Sequence, residues 1–105
     1  MTIPNDISFF ASEIGKRFSA EKVILFGSHA REQAGYDSDV DLLVIMDFEG
    51  SSSSVASDIR STIPFNHALD LVIRRPDDLK WRLEQHDFFL REIINSGIVL
   101  YEASY

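Results

Sequence analysis

Three aspartates on two predicted strands could bring carboxylates together for metal-assisted chemistry. Asp39 and Asp41 begin a strand predicted over residues 39–46, and Asp70 lies in a strand predicted over residues 68–73. Because alternate residues of a strand share a face, Asp39 and Asp41 lie on one face, and Asp70 lies on the polar face of its own strand. If the two strands are neighbours, we expect the three carboxylates to converge on one open face of the sheet.

Such a convergence of carboxylates opposes folding unless a cation is present. Two unit charges about 5–6 Å apart repel by about 3 kcal/mol at an effective dielectric constant of about 20. The nearest basic residues in the sequence, Arg74 and Arg75, follow the second of these strands. They either contact phosphate or a partner, or they form a solvated strand end. A hard divalent cation with oxygen ligands would offset the repulsion. In the structural alternative, Asp39 caps the strand, Asp41 faces water and Asp70 pairs with an arginine.

A second candidate feature is a turn that could bind an anion. Gly27 and Ser28 follow a short apolar run and precede a short helix predicted over residues 29–33. A glycine turn before a helix presents backbone N–H groups to a phosphate, and the Ser28 hydroxyl can donate another hydrogen bond. His29 and Arg31 either contact phosphates and support this turn, or form ion pairs with nearby acids. The P-loop pattern is absent.

The combination of these features is more specific than either part. An anion-binding turn is followed by two carboxylates on the next strand and by a third carboxylate on the strand after it. Positioning of phosphates and neutralisation of their charge are what phosphoryl transfer requires of a protein. The sequence therefore favours metal-assisted phosphoryl transfer.

The elements that must position these groups alternate between helix and strand. Helices are predicted over residues 5–18, 29–33, 55–62 and 76–96, and strands over residues 22–26, 39–46, 68–73 and 98–101. This order predicts a sheet domain of the α/β or α+β class. With 105 residues we expect one domain, 1–105. In the long final helix we expect Phe88 and Phe89 to be buried, the alternative being that one of them forms an interface.

Composition and charge exclude several classes of function. Seventeen acidic against ten basic residues give a net charge of −7, which disfavours direct binding to nucleic acid. The absence of cysteine excludes disulfides, thiolate metal sites and a cysteine nucleophile. No apolar run approaches the ~20 residues of a membrane span. We therefore expect a cytoplasmic protein without a membrane partner.

The residues around the two candidate features resemble a known signature. GSHAR at 27–31 and SDVDLLV at 38–44 resemble the G-S-x-A-R-G and S-D-x-D-L-x-V motifs of the DNA polymerase β-like nucleotidyltransferase superfamily. The length and element order are similar to those of its minimal nucleotidyltransferases, the MNT-type antitoxins. The resemblance implies an α+β nucleotidyltransferase fold, a small mixed sheet of about four strands with helices packed on one face. One departure is Glu32, which stands where the family usually has glycine.

The resemblance implies a role for each matching residue. Gly27 and Ser28 match the residues that hold the β- and γ-phosphates, and Arg31 completes the nucleotide-binding set. Asp39 and Asp41 match the two metal-binding aspartates. The implied cofactor is Mg²⁺, in a two-metal site with ATP bound as substrate.

The third aspartate and the reaction follow from the same resemblance. Asp70 matches the third catalytic carboxylate, which helps to bind the metal and draws the proton from the attacking hydroxyl. Such proteins transfer AMP from ATP to a hydroxyl acceptor, and minimal members adenylylate a tyrosine of a partner HEPN-domain toxin. Two alternatives stay open, a non-catalytic antitoxin that acts by complex formation, which Glu32 favours, and nucleotidyl transfer to a small molecule. The sequence also leaves open whether the protein forms a homo-oligomer.

Overall fold

The computed structural model describes residues 3–31 and 38–104, and it confirms the α+β class. In chain order the elements are α1 (Asn5–Arg17), β1 (Lys22–Phe26), β2 (Val40–Ile45), α2 (Ser52–Thr62), β3 (Leu69–Arg74), α3 (Pro76–Glu84), α4 (Phe88–Ser96) and β4 (Ile98–Glu102). No helix within the described ranges has both the length and the apolar character that crossing a membrane requires.

The four strands form one mixed sheet in the order β3-β2-β1-β4. Strand β1 is antiparallel to both β2 and β4, whereas β2 and β3 are parallel. The β1–β2 register places Phe26 beside Asp41, and the β2–β3 register places Asp41 beside Asp70. Because paired residues share a face of the sheet, these three form one row across three strands, here called the carboxylate row. The next row on this face, here called the inner row, consists of Ile24, Leu43 and Val72.

Helices α1 and α2 cover the face opposite to the carboxylate row. The strands contribute Val23, Leu25, Val40, Leu42, Val44 and Ile73 to this core. Helix α1 adds Ile7, Phe10, Ala11 and Ile14, and helix α2 adds Val55, Ala56 and Ile59. The ring of Phe10 also stacks on Phe65, with 4.1 Å between ring centroids. The spacing of the apolar residues along both helices is that of amphipathic helices on a sheet.

The prediction that helices pack on one face alone is wrong, because α3 and α4 cover the inner row. Leu79, Leu90 and Ile93 pack there in a second core cluster with Ile24 and Leu43. A strand that is apolar on both faces needs cover on both faces, and the run KVILF of β1 has this composition. In the carboxylate row, Phe26 packs against α4 through Phe89, whereas Asp41 is half-buried and Asp70 is exposed.

The predicted single helix over residues 76–96 is also wrong, since it is broken between α3 and α4. His86 adopts a left-handed backbone conformation with φ 63°, and the Asp87 side chain accepts a hydrogen bond of 3.0 Å from the Leu90 amide. An aspartate side chain that caps a new helix competes with continuation of the old one. After this break Phe88 and Phe89 are 78% and 55% exposed, so the expectation that both are buried is wrong as well.

Helix α2 begins three residues before the predicted start at residue 55. The Ser51 hydroxyl accepts a hydrogen bond of 3.1 Å from the Ser54 amide and so caps the helix. The serine run, predicted as a polar loop, supplies both the cap and the first helical turn, and serine is a preferred residue at the cap position itself.

Candidate active site

The turn after β1 presents unused backbone donors. Gly27 has φ 76°, and the Arg31 amide donates to the carbonyl oxygens of Gly27 and Ser28, each at 3.2 Å. Within residues 3–31 and 38–104, the amides of Ser28, His29 and Ala30 have no acceptor. Three consecutive amides without an acceptor are suited to an anion such as phosphate. The predicted helix over residues 29–33 is wrong in its first part, where residues 28–31 form a turn, and its last two residues lie outside the described ranges.

His29 connects this turn to the segment that carries the aspartates. Its Nε2 atom lies 3.2 Å from the backbone carbonyl oxygen of Ser38. A carbonyl oxygen only accepts, so the hydrogen bond requires a proton on Nε2 of His29. Ser38 directly precedes Asp39, and the bond therefore holds the turn close to the first aspartate. Of the two roles that the sequence left open for His29, this geometry supports the positioning of the turn.

The sheet brings Asp41 and Asp70 together, and Asp39 lies close enough to Asp41 to raise its pKa. Asp41 and Asp70 are register partners in adjacent strands, where the side chains of paired residues are neighbours. Asp39 directly precedes β2 and is exposed, as is Asp70, whereas Asp41 is half-buried. The alternation of strand residues therefore predicted the common face of Asp41 and Asp70 correctly.

The electrostatics of Asp41 reflect this crowding. Burial raises the pKa of Asp41 above 3.8, and the neighbouring carboxylates of Asp70 and Asp39 raise it further. The positive charges of His29 and Arg31 oppose this increase. Burial, the largest cause, and the two neighbouring carboxylates all disfavour the negative charge on Asp41, and a nearby positive charge would offset them. Such a site favours a cation.

Gly27 and Asp41 are in direct contact at the centre of the site. A Cβ atom at position 27 would collide with Oδ2 of Asp41. The left-handed conformation of Gly27 independently favours glycine. The turn and the half-buried aspartate therefore fit together only because residue 27 has no side chain.

The three aspartates do not form a complete ligand set by themselves. Within residues 3–31 and 38–104, no three Asp, Glu or His side chains are grouped closely enough to hold a metal ion. Magnesium usually takes only one or two carboxylates and completes its shell with substrate phosphates and water. The oxygen donors of Asp39 and Asp41 suit Mg²⁺ in type and charge, with phosphate oxygens as further ligands.

Arg74 and Arg75, at the end of β3, make contacts within the fold. Arg75 donates from Nε to the Phe48 carbonyl at 2.9 Å and from a terminal nitrogen to the Gly50 carbonyl at 3.0 Å. Its guanidinium also lies 4.1 Å from the centroid of the Phe48 ring. Arg74 is bonded to the Ile73 carbonyl and approaches Asp78 to 3.9 Å. Both guanidinium groups therefore bond to neighbouring parts of the chain, whereas the alternative drawn from the sequence was a solvated strand end.

The family model named Polymerase beta, Nucleotidyltransferase matches residues 11–105. The chain therefore belongs to the polymerase β nucleotidyltransferase family.

Among solved structures, the chain is similar to one described as "Crystal structure of the toxin-antitoxin with AMP-PNP". That match has a TM-score of 0.60 and 17% sequence identity, and it covers 96% of this chain and 76% of that chain. At this identity the likeness concerns the fold. No curated protein sequence matches the chain significantly.

Proposed function

We propose that this protein is a Mg²⁺-dependent nucleotidyltransferase that moves AMP from ATP to a hydroxyl acceptor in the cytoplasm. The acceptor that we propose is a tyrosine of a partner HEPN-domain toxin, which makes the protein an antitoxin. The observation that carries the proposal is the register pairing of Asp41 with Asp70 beside a turn with three unused amides. Membership in the polymerase β nucleotidyltransferase family supports the reaction class.

We assign the phosphate turn to binding of the β- and γ-phosphates, which leave as pyrophosphate. The amides of Ser28, His29 and Ala30 and the Ser28 hydroxyl would donate to the β- and γ-phosphates of ATP. Arg31 adds a positive charge beside the same turn. These donors stabilise the negative charge that develops on pyrophosphate as it departs.

The aspartates are assigned to the metal and to the proton. Asp39 and Asp41 would hold Mg²⁺, which neutralises phosphate charge when it is bound. The acceptor oxygen forms a bond to the α-phosphorus while the bond from that phosphorus to the pyrophosphate oxygen breaks. Asp70 accepts the hydroxyl proton, and pyrophosphate leaves with the electron pair of the broken bond.

The direction of attack follows from this assignment. In phosphoryl transfer the attacking and leaving oxygens are roughly in line. If pyrophosphate leaves on the side of Gly27, the acceptor approaches from the side of Asp70, on the edge strand β3. An edge strand is open on one side, so a protein acceptor has access to this carboxylate.

Two observations support a protein partner. The similar solved structure is described as a toxin–antitoxin assembly with AMP-PNP. Phe88 and Trp81 are 78% and 57% exposed on α4 and α3, and exposed aromatic side chains are enriched in interfaces between proteins.

The experiment is a transfer assay with ATP labelled on the α-phosphate, Mg²⁺ and the protein encoded by the neighbouring reading frame. We expect label on the neighbour with the wild-type chain, and none with Asp39→Ala or Asp41→Ala. Asp58→Ala, which removes an exposed carboxylate from α2, is the matched control and should transfer normally. Absence of transfer by the wild-type chain would contradict the proposal.

The second candidate is a non-catalytic antitoxin that neutralises its partner by binding alone. Glu32, which follows the turn residues in the sequence and adds a negative charge there, favours it. A double variant, Asp39→Ala with Asp41→Ala, separates the two functions. Full neutralisation of the toxin by this variant would support the binding function, and loss of neutralisation with an intact complex would support transfer.

A further inference from the structure

A cavity of about 340 Å³ adjoins the phosphate turn, and no role has been assigned to it above. It lies between the end of β1, the turn and α4. Its volume falls in the range of about 300–1,000 Å³ that is typical of small-molecule pockets. The residues that line it include Phe26, Gly27 and Arg31 on one side and Phe89, Glu92 and Ser96 on the other.

The cavity adjoins the proposed reaction centre through Phe26 and Gly27. Phe26 is part of the carboxylate row and is the register partner of Asp41. Gly27 contacts Asp41 and begins the phosphate turn. A ligand whose phosphates occupy the turn and the carboxylate row can therefore extend into this cavity without crossing another element.

The position of the cavity excludes the acceptor as its occupant. In-line transfer places the acceptor on the side of Asp70, whereas Gly27 and Arg31 lie on the side from which pyrophosphate leaves. In the sheet, β1 and β3 lie on opposite sides of β2. The cavity beside β1 is therefore left to the donor nucleotide.

The walls of the cavity have the chemistry that a nucleoside needs. The rings of Phe26 and Phe89 meet edge to face, with 5.7 Å between centroids and an angle of 85°. Phe89 is 55% exposed, so part of its ring is free to stack on a planar base. The side chains of Glu92 and Ser96, one helical turn apart on α4, make no hydrogen bond or ion pair with another described residue.

From this arrangement we propose that the cavity binds the nucleoside part of the donor nucleotide. The base stacks on Phe89, while the carboxylate of Glu92 and the hydroxyl of Ser96 bond to ribose hydroxyls or an exocyclic amino group. The inference rests on the proposed function and deepens it, since it assigns recognition of the base and ribose to α4. The turn and the aspartates then bind only the triphosphate, whatever the base.

The test separates the two parts of the nucleotide by comparing two ligands. Calorimetric titration measures the affinity of the full chain for MgATP and for magnesium tripolyphosphate, which has the phosphates but no nucleoside. Phe89→Ala should weaken MgATP binding by roughly 10-fold or more, and it should change tripolyphosphate binding by less than about twofold. Phe88→Ala is the matched control, because Phe88 is exposed on the same helix and does not line the cavity.

The outcomes distinguish this inference from the proposed function. Selective loss of MgATP affinity in Phe89→Ala, with Phe88→Ala unchanged, supports the nucleoside site. Two results would overturn the nucleoside site and leave the transferase proposal intact, provided that the wild-type chain binds MgATP. In the first, Phe89→Ala weakens the binding of both ligands equally. In the second, Phe89→Ala binds MgATP as tightly as the wild-type chain does. A wild-type chain that binds neither ligand overturns both. Glu92→Gln is a second test of the nucleoside site. It should change the affinity for ATP relative to the affinity for 2′-deoxy-ATP or for UTP.

Discussion

The imidazole of His29 donates from Nε2 to the Ser38 carbonyl over 3.2 Å, and this single side chain joins the phosphate turn to the start of β2. We expect His29→Ala to lower the free energy of unfolding by about 0.5–1.5 kcal/mol, the usual net contribution of a hydrogen bond. It should also weaken MgATP binding, because the turn is no longer held beside Asp39. Urea unfolding and calorimetric titration measure these two effects.

The matched variant for this prediction is His29→Gln, whose side-chain amide can donate to the same carbonyl. It should recover part of the lost stability and affinity. If His29→Ala and the wild-type chain unfold at the same urea concentration and bind MgATP equally, the bond has no positioning role.

Gly27→Ala tests the contact between the turn and Asp41. Alanine at this position must adopt a left-handed backbone and also displace the Asp41 carboxylate. Gly50→Ala is a control with similar backbone strain, since Gly50 has φ 80° and open space around its Cα atom. We expect Gly50→Ala to lose about 1–2 kcal/mol of unfolding free energy and Gly27→Ala to lose clearly more. Equal losses in urea unfolding would show that the contact with Asp41 has no energetic consequence.

Asp41→Asn should stabilise the protein at neutral pH when no metal is present. The pKa of Asp41 is raised in the folded state, so the folded chain binds this proton more tightly than the unfolded chain does. Ionisation of Asp41 therefore opposes folding. This penalty is fully present above the folded-state pKa, and it disappears as the pH falls through that value toward 3.8.

Urea unfolding in the presence of a chelator measures this prediction across pH. The midpoint of Asp41→Asn should exceed that of the wild-type chain at neutral pH, and the difference should shrink as the pH approaches 3.8. Asp58→Asn, on an exposed part of α2, should show no comparable gain. A destabilised Asp41→Asn at neutral pH would contradict the crowding of the three carboxylates.

Asp87→Ala tests the break between α3 and α4. Loss of an N-cap side chain costs about 0.5–2 kcal/mol, and the first turn of α4 should fray. Since Phe89 lies in that turn, MgATP affinity should fall together with stability. Asp87→Ser keeps a capping oxygen and should behave like the wild-type chain in urea unfolding and titration. An unaffected Asp87→Ala would mean that packing of Leu90 alone positions the helix.

The common face of Asp41 and Asp70 could be predicted from the sequence because strands have a period of two residues, whereas the pairing of their strands was a condition that only the structure supplies. Once VDLLVI and LDLVIR are taken as strands, each aspartate must share a face with every second residue. The Gly27 turn was also predictable, since an apolar run that ends in glycine and serine is typical of a strand followed by a turn.

The break at Asp87 and the cover on both faces could not be predicted from one-dimensional patterns. Leu83, Leu90 and Ile93 have a spacing that also suits one continuous helix, and the packing of α4 on β1 together with the Asp87 cap decides against it. The cover on both faces of the sheet is indicated in the sequence by Ile24 and Leu43, which make their strands apolar on both faces. Tertiary packing decided both cases, as it often does against local patterns.

The helix pair α3–α4 reaches Phe26 in the carboxylate row but leaves Asp70 exposed, and this has a consequence for hydrolysis. Asp70 and Asp39 are exposed, so bulk water reaches the place where an acceptor oxygen would attack. An activated phosphate held there would be slowly destroyed by water unless another molecule shields it. If the proposed function holds, the acceptor protein would itself shield this place from water, and hydrolysis of ATP would decrease when the two proteins associate.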